Sequence, residues 1–136
     1  MDKTYVLDAS AVLRFVEDSA GAERVERLFK DAARGGPQLL ISVVNWGEIF
    51  YHAWQLRGEE KARSTTDSLA CLPLQLIPVG LEQALKAGAL KAVHKIPYVD
   101  CLAAALASAR DATLVTSDRD FEKLGRHFPI LWIGRS

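Results

Sequence analysis

Apolar positions along the chain alternate between short continuous runs and stripes with helical spacing. Thr4-Tyr5-Val6-Leu7 is a β-prone run that stops at Asp8. Ala11 to Glu17 reads as a short helix. Ala22 to Arg34 reads as a second, with Val25, Leu28, Phe29 and Ala32 recurring at i, i+3, i+4 and i+7. Gly35-Gly36-Pro37 breaks it. Gln38 to Ile41 is a strand, and Ser42 can cap a helix running to Leu56 that Gly58 stops. Glu59 to Leu69 is helical. Leu74 to Val79 is a strand whose Pro78 suits an edge or a strand end. Leu81 to Lys95 is a helix ended by Ile96-Pro97, and an Ala-rich helix follows from Tyr98 to Arg110. Ala112 to Thr116 is a strand, Asp120 to Arg126 a short helix, and Ile130 to Ile133 the last strand. Strands alternating with helices predict a mostly parallel sheet of about five strands covered on both faces. Runs such as Leu114-Val115 and Ile130-Leu131-Trp132-Ile133 are apolar throughout, as strands buried on both sides are.

Composition narrows the class. With 136 residues, 49% hydrophobic and 25% charged, the chain has the size and balance of one globular domain, expected over residues 1–136. That balance excludes a disordered or collagen-like chain, and a core of this size needs no disulfide or structural metal. Lys plus Arg equals Asp plus Glu at 17 each, which argues against a protein that coats nucleic acid by net charge but leaves room for a local basic rim. Cys71 and Cys101 form no close pair and read as two buried thiols. The start, Met1-Asp2-Lys3, lacks the basic region and apolar core of a signal peptide. The most apolar stretch, Leu69 to Leu81, is short and holds two prolines. A cytoplasmic location without membrane contact is therefore expected.

Four acids have positions that suggest chemistry. Asp8 directly follows the first strand, and Asp118 follows Leu114-Val115-Thr116. In a parallel sheet both lie at the carboxyl edge, where open α/β folds place their sites. Glu48 lies in the helix after the second strand, and Asp100 in the first turn of the Ala-rich helix. Each has an ordinary alternative. Asp8 can cap the following helix, Asp100 can complement a helix N-terminus, and Asp118 can close an Asx turn. A helical wheel puts Glu48 nearly opposite Trp46, Ile49, Phe50 and Ala53, as for a solvated glutamate. If the four converge, they repel one another, and a hard divalent cation such as Mg²⁺ or Mn²⁺ removes that penalty. Such a cluster suits metal-assisted phosphodiester cleavage. No Gly-rich phosphate loop, GxSxG elbow or HExxH motif competes.

Neighbouring residues fit the same picture. The hydroxyls of Ser10, Thr116 and Ser117 can orient ligands, and Asp120 is either a helix cap or a supporting acid. Ala103, Ala104 and Ala107 share a face with Asp100, for close packing or close approach of a substrate. His52 follows Glu48 by four residues on one helical face, whereas His94 and His127 sit near helix ends. Phe50, Tyr51, Trp54 and Leu56 make their helix unusually aromatic, for core packing or for a partner.

Four segments together resemble a known family. Leu7-Asp8-Ala9-Ser10-Ala11-Val12-Leu13 is similar to the opening motif of PIN-domain ribonucleases, and Asn45-Trp46-Gly47-Glu48-Ile49 to their second acidic motif. Tyr98-Val99-Asp100-Cys101-Leu102-Ala103-Ala104-Ala105 resembles the third, and Leu114-Val115-Thr116-Ser117-Asp118-Arg119-Asp120-Phe121 the fourth. The length and the short last strand resemble VapC-type toxins of bacterial toxin–antitoxin pairs. No one motif is specific, but four in order span essentially the whole chain. The resemblance implies a PIN-like three-layer α/β/α sandwich, with Asp8, Glu48, Asp100 and Asp118 around Mg²⁺ or Mn²⁺. It also implies endonucleolytic cleavage of RNA, often tRNA or rRNA, a small antitoxin partner that blocks the site, and a homodimer.

On this reading Asp8, Asp100 and Asp118 hold the metal, and Glu48 completes the shell or positions the attacking water. Arg14, Arg57, Lys91, Lys95 and Arg119 are the candidate RNA contacts. No basic stripe interleaved with aromatics is present, so RNA shape is the expected target of recognition. Other phosphotransfer folds fit poorly. Asp8 lacks the acidic partner of a receiver domain, and Ser10 stands where a dehalogenase-like phosphatase has its second Asp. The alternative function is a PIN-fold binding or regulatory module without catalysis.

Overall fold

The computed structural model describes residues 3–134; Met1, Asp2, Arg135 and Ser136 lie outside the described residues. Five strands form one sheet: β1 (Thr4–Leu7), β2 (Gln38–Ser42), β3 (Gln75–Ile77), β4 (Thr113–Thr116) and β5 (Ile130–Trp132). Their order is β3-β2-β1-β4-β5 and every pairing is parallel, a stricter arrangement than "mostly parallel". The helices are α1 (Ala9–Val16), α2 (Ala22–Ala33), α3 (Val43–Arg57), α4 (Glu59–Leu69), α5 (Leu81–His94) and α6 (Tyr98–Ala109), and a 3-10 turn covers Arg119–Leu124.

Strand alternation divides the core. Leu7, Leu39, Ile41, Val115 and Ile133 point to one face, where they pack with Val12, Val25, Phe29, Ile49 and Leu69 of α1 to α4. Val6, Leu40, Ile77 and Leu114 point to the other, against Ala103, Ala104, Leu106 and Ala107 of α6, with Leu90 of α5 beside them. The result is a three-layer α/β/α sandwich. The alanine face of α6 is fully buried against the sheet, so its small residues serve close packing.

Several predicted boundaries shift for local reasons. The first helix starts at Ala9, because the Asp8 carboxylate accepts the Ala11 N–H at 2.9 Å and caps it. Ser42 caps α3 as expected, accepting from Val44 N–H at 3.2 Å, and Gly58 ends it at φ 89°. β3 shrinks to three residues at the sheet edge, with Pro78 just past its end. The short helix after β4 begins at Arg119 and is 3-10, since Asp118 rather than Asp120 caps it. Cys101 is buried, but Cys71 is exposed at the end of α4, which corrects the expectation of two buried thiols. No helix among the described residues is long and apolar enough to cross a membrane.

The turn between α1 and α2 is clamped to the far end of the sheet. Gly21 has φ 94°, and a Cβ there would sit 2.7 Å from Gly134 N. Nearby, Arg24 donates to the Trp132 carbonyl at 2.8 Å. Gly21→Ala is expected to cost about 2 kcal/mol or more, from strained φ and a backbone clash. Urea unfolding checks this, and an unchanged midpoint would mean the clamp is loose.

Candidate active site

The strand order places a switch point between β1 and β4. The chain builds β2 and β3 on one side of β1, then crosses to add β4 and β5 on the other. At the carboxyl ends of such neighbours the connections diverge and leave a crevice. Asp8 and Asp118 stand there. The helices supply the rest, with Glu48 from α3 and Asp100 from the first turn of α6. Asp8, Ser10, Glu48, Asp100 and Asp118 line one cleft of about 190 Å³, with Leu13, Tyr51 and His52 on its wall. Carboxylate oxygens of Asp100, Asp118 and Asp120 all lie within 4.8 Å of one another. The structure thus brings together all four acids of the predicted quartet and adds Asp120 beside them.

Asp8 is 2% exposed and its carboxylate is held on three sides. Ser10 O–H donates to Oδ1 at 2.8 Å, as does Ala11 N–H at 2.9 Å, and Thr116 O–H donates to Oδ2 at 2.6 Å. Two backbone donors stand behind those hydroxyls. Ser117 N–H donates to Ser10 Oγ at 3.1 Å, and Asp118 N–H to Thr116 Oγ1 at 2.9 Å. With each backbone amide donating to a hydroxyl, both hydroxyl protons are directed at Asp8. A carboxylate offers about four lone-pair directions, so roughly one is left for a cation. Burial still pushes the Asp8 carboxyl up to about 6, against the lowering effect of the Thr116, Ala11 and Ser10 bonds.

Asp100 is pushed further, to about 8, first by burial and then by the negative charges of Asp118, Asp8 and Glu48. Burial also raises Glu48, while a bond from Asn45 lowers it. Asn45 is fully buried and donates from Nδ2 to Glu48 Oε1 at 2.7 Å; its own Oδ1 has no partner among the described residues. The helical wheel missed Glu48's surroundings because α3 packs on two sides. Val44, one turn before Glu48, packs with Cys101, Leu102 and Ala105 of α6. The polar side of the wheel therefore looks toward the start of α6, where Asp100 sits. Asn45 falls inside the second acidic motif without standing out there, and its place three residues before Glu48 on a helix is the only signal for it in the sequence.

The other predicted residues are placed as follows. Ser10 and Thr116 bond Asp8, and Ser117 contributes its backbone N–H rather than its hydroxyl. His52 lines the cleft and meets Glu17 at 3.2 Å; Tyr51 lines it too, and Trp54 and Leu56 are exposed. None of the five candidate RNA contacts lines the acidic cleft. Arg14 turns to the Ala20 carbonyl at 3.4 Å and Lys91 to the Ile96 carbonyl at 3.3 Å. Arg57 lines a separate groove with Phe15 and Lys61, and Lys95 ends α5 at φ 59°. Arg119 follows Asp118 directly and lies over the Trp132 ring at 4.5 Å.

The donor set is all hard oxygen, and its like charges are costly unless something positive sits among them, so it fits a divalent cation. Thr116→Val tests the hydroxyl behind Asp8. It is expected to lower stability by about 1–3 kcal/mol and divalent-metal affinity by about 10- to 100-fold, with Thr116→Ser retaining both. Urea unfolding and Mn²⁺ titration read the two effects.

An all-parallel sheet with an acidic crevice at its switch point places the chain among the α/β folds that carry their sites at the strand ends. The chain belongs to the PIN domain family, whose profile matches residues 5–127. Its fold is that of solved VapC toxins. It resembles the structure described as VapBC2 from Rickettsia felis bound to a DNA fragment from their promoter. That match has a TM-score of 0.73 and 21% identity, covering 96% of this chain and 98% of that one. Mycobacterium tuberculosis VapC20, described as a sarcin-ricin loop cleaving toxin, matches with a TM-score of 0.70 and 17% identity over 89% and 95% of the two chains. DNA-bound VapBC from Salmonella typhimurium matches at 0.72 and 19% over 96% and 98%. No curated protein sequence matches the chain significantly.

Proposed function

We propose that this chain is a divalent-metal-dependent endoribonuclease, a single PIN domain over residues 1–136 acting as the toxin of a toxin–antitoxin pair in the cytoplasm. The observation that carries the reading is the convergence of Asp8, Glu48, Asp100 and Asp118 on one small cleft at the switch point. Asp8, Asp100 and Asp118 would hold Mg²⁺ or Mn²⁺, with Asp120 beside them and Glu48 completing the shell. The bound ion supplies Lewis-acid stabilisation of the phosphate and a more acidic water. Ser10 and Thr116 keep the Asp8 carboxylate in one orientation, and Asn45 does the same for Glu48. Glu48, half-buried and raised by burial, would orient the attacking water or accept a proton from it. tRNA or rRNA is the proposed substrate class. A cognate antitoxin that covers the cleft and a homodimeric assembly are the proposed partners.

The test is cleavage of total RNA by the purified, partner-free chain in Mg²⁺, in Mn²⁺ and in EDTA, beside Asp8→Asn. Discrete fragments that need metal and are missing from the variant are expected, and end mapping then gives the target. Absence of cleavage by folded protein in both metals would leave the non-catalytic binding module as the reading.

A further inference from the structure

A second groove, of about 320 Å³, lies one strand away from the acidic cleft. Its walls include Phe128, Ile130 and Trp132, with Arg126 and Glu122 at the rim. We propose that it is a subsite for one unpaired base of the RNA, next to the bond that is cut; this rests on the ribonuclease reading.

The position follows from register. Trp132 is the Cα partner of Thr116, whose hydroxyl bonds Asp8, so the two lie one strand spacing, about 4.8 Å, apart. β5 pairs with β4 alone among the described strands, so no strand covers its outer side, where Arg24 meets the Trp132 carbonyl. Residues 128, 130 and 132 alternate onto one side of that edge, and all three are partly buried against the α6 face of the core. The groove therefore has a rigid apolar wall with an indole at the end nearest the acids.

The charge pattern selects the occupant. Arg119 lies over the Trp132 ring at 4.5 Å, and its one ion pair, to Glu122, is long at 3.4 Å with both partners well exposed. Arg126 makes no ion pair among the described residues. A groove with one cation over its indole and a second at its rim suits a π-faced base on an anionic backbone better than an apolar peptide. The linear sequence hides part of this patch, since Arg119 stands before the turn at Gly125 and meets Trp132 only in the fold.

The experiment measures binding of fluorescein-labelled single-stranded hexamers in EDTA at low salt. The probes are oligoadenylate, oligouridylate and an abasic ribose-phosphate hexamer. Trp132→Ala is expected to weaken the base-bearing strands at least about fivefold and to leave the abasic strand unchanged, because stacking is lost and phosphate contacts are kept. Trp132→Phe should stay within about twofold of wild type, which separates stacking from misfolding. Arg126→Ala should weaken all three strands alike. Wild-type cleavage of total RNA in metal is run alongside. If wild type cleaves but Trp132→Ala binds base-bearing strands normally, the subsite is wrong while the ribonuclease reading stands, and a protein strand on β5 becomes the alternative occupant. If wild type neither cleaves nor binds RNA, both fall together.

Discussion

Replacing Asp118 by asparagine is expected to lower RNA cleavage by roughly a thousandfold or more, equivalent to about 4 kcal/mol of transition-state stabilisation, while leaving the fold intact. The fold survives because the structural part of Asp118 is its cap. One carboxylate oxygen accepts the Asp120 N–H at 2.9 Å, and an asparagine carbonyl can do the same. The functional part is its charge. The negative charge of Asp118 raises Asp8, Glu48 and Asp100, so it shares one site with all three. Asp120→Asn makes the sharper comparison. Its oxygen lies within 4.8 Å of those of Asp100 and Asp118, but it does not line the cleft with the other four. A loss nearer tenfold is expected there. Single-turnover cleavage and Mn²⁺ titration of both variants read the contrast. Cleavage by Asp118→Asn within tenfold of wild type would show that the acids do not act around a shared cation.

The legible parts of this molecule were those fixed by local pattern. The strand after Lys3, the Ser42 cap and the Gly58 stop all follow from residues within a few positions of one another. The meeting of Asp8 and Asp118 in one cleft is legible because a parallel sheet puts strand ends at one edge, whatever packs around it. Asp8 also shows that two readings can both hold, since the same carboxylate caps α1 and enters the cleft. Where tertiary packing decides, the sequence was silent or misleading. Glu48 looked solvated because a wheel knows one buried face and α3 has two. Cys71 looked buried on residue type alone, yet it falls past the last core residue of α4, Leu69. The sequence carries no orientation for the basic candidates, and the fold turns Arg14 and Lys91 to nearby carbonyls.

The metal-free chain should lose stability as pH rises, the reverse of ordinary acid denaturation. Asp8 and Asp100 have folded-state values of about 6 and about 8, both above the usual 3.8. A raised acid favours the folded state only while protonated, so its contribution is complete below about pH 4. It fades as pH climbs to about 6 for Asp8 and on to about 8 for Asp100, the acids titrating as a set. For fully buried Asp8 alone, the rise from 3.8 to about 6 corresponds to on the order of 3 kcal/mol, or a fall in Tm on the order of 10 °C. A divalent cation takes the place of those protons, so Mn²⁺ at pH 8 should restore the lost Tm, by an amount that grows with its concentration. Asp100→Asn supplies the internal control. Removing that charge should flatten the upper part of the pH dependence in EDTA and also shrink the gain from Mn²⁺, so one variant becomes more stable without metal and less responsive to it. Thermal melts at pH 5, 6.5 and 8, in EDTA and in Mn²⁺, are the measurement. A Tm in EDTA that is flat or rising over that range would mean the four acids do not crowd one another in the folded chain, and the argument for a cation among them would go with it.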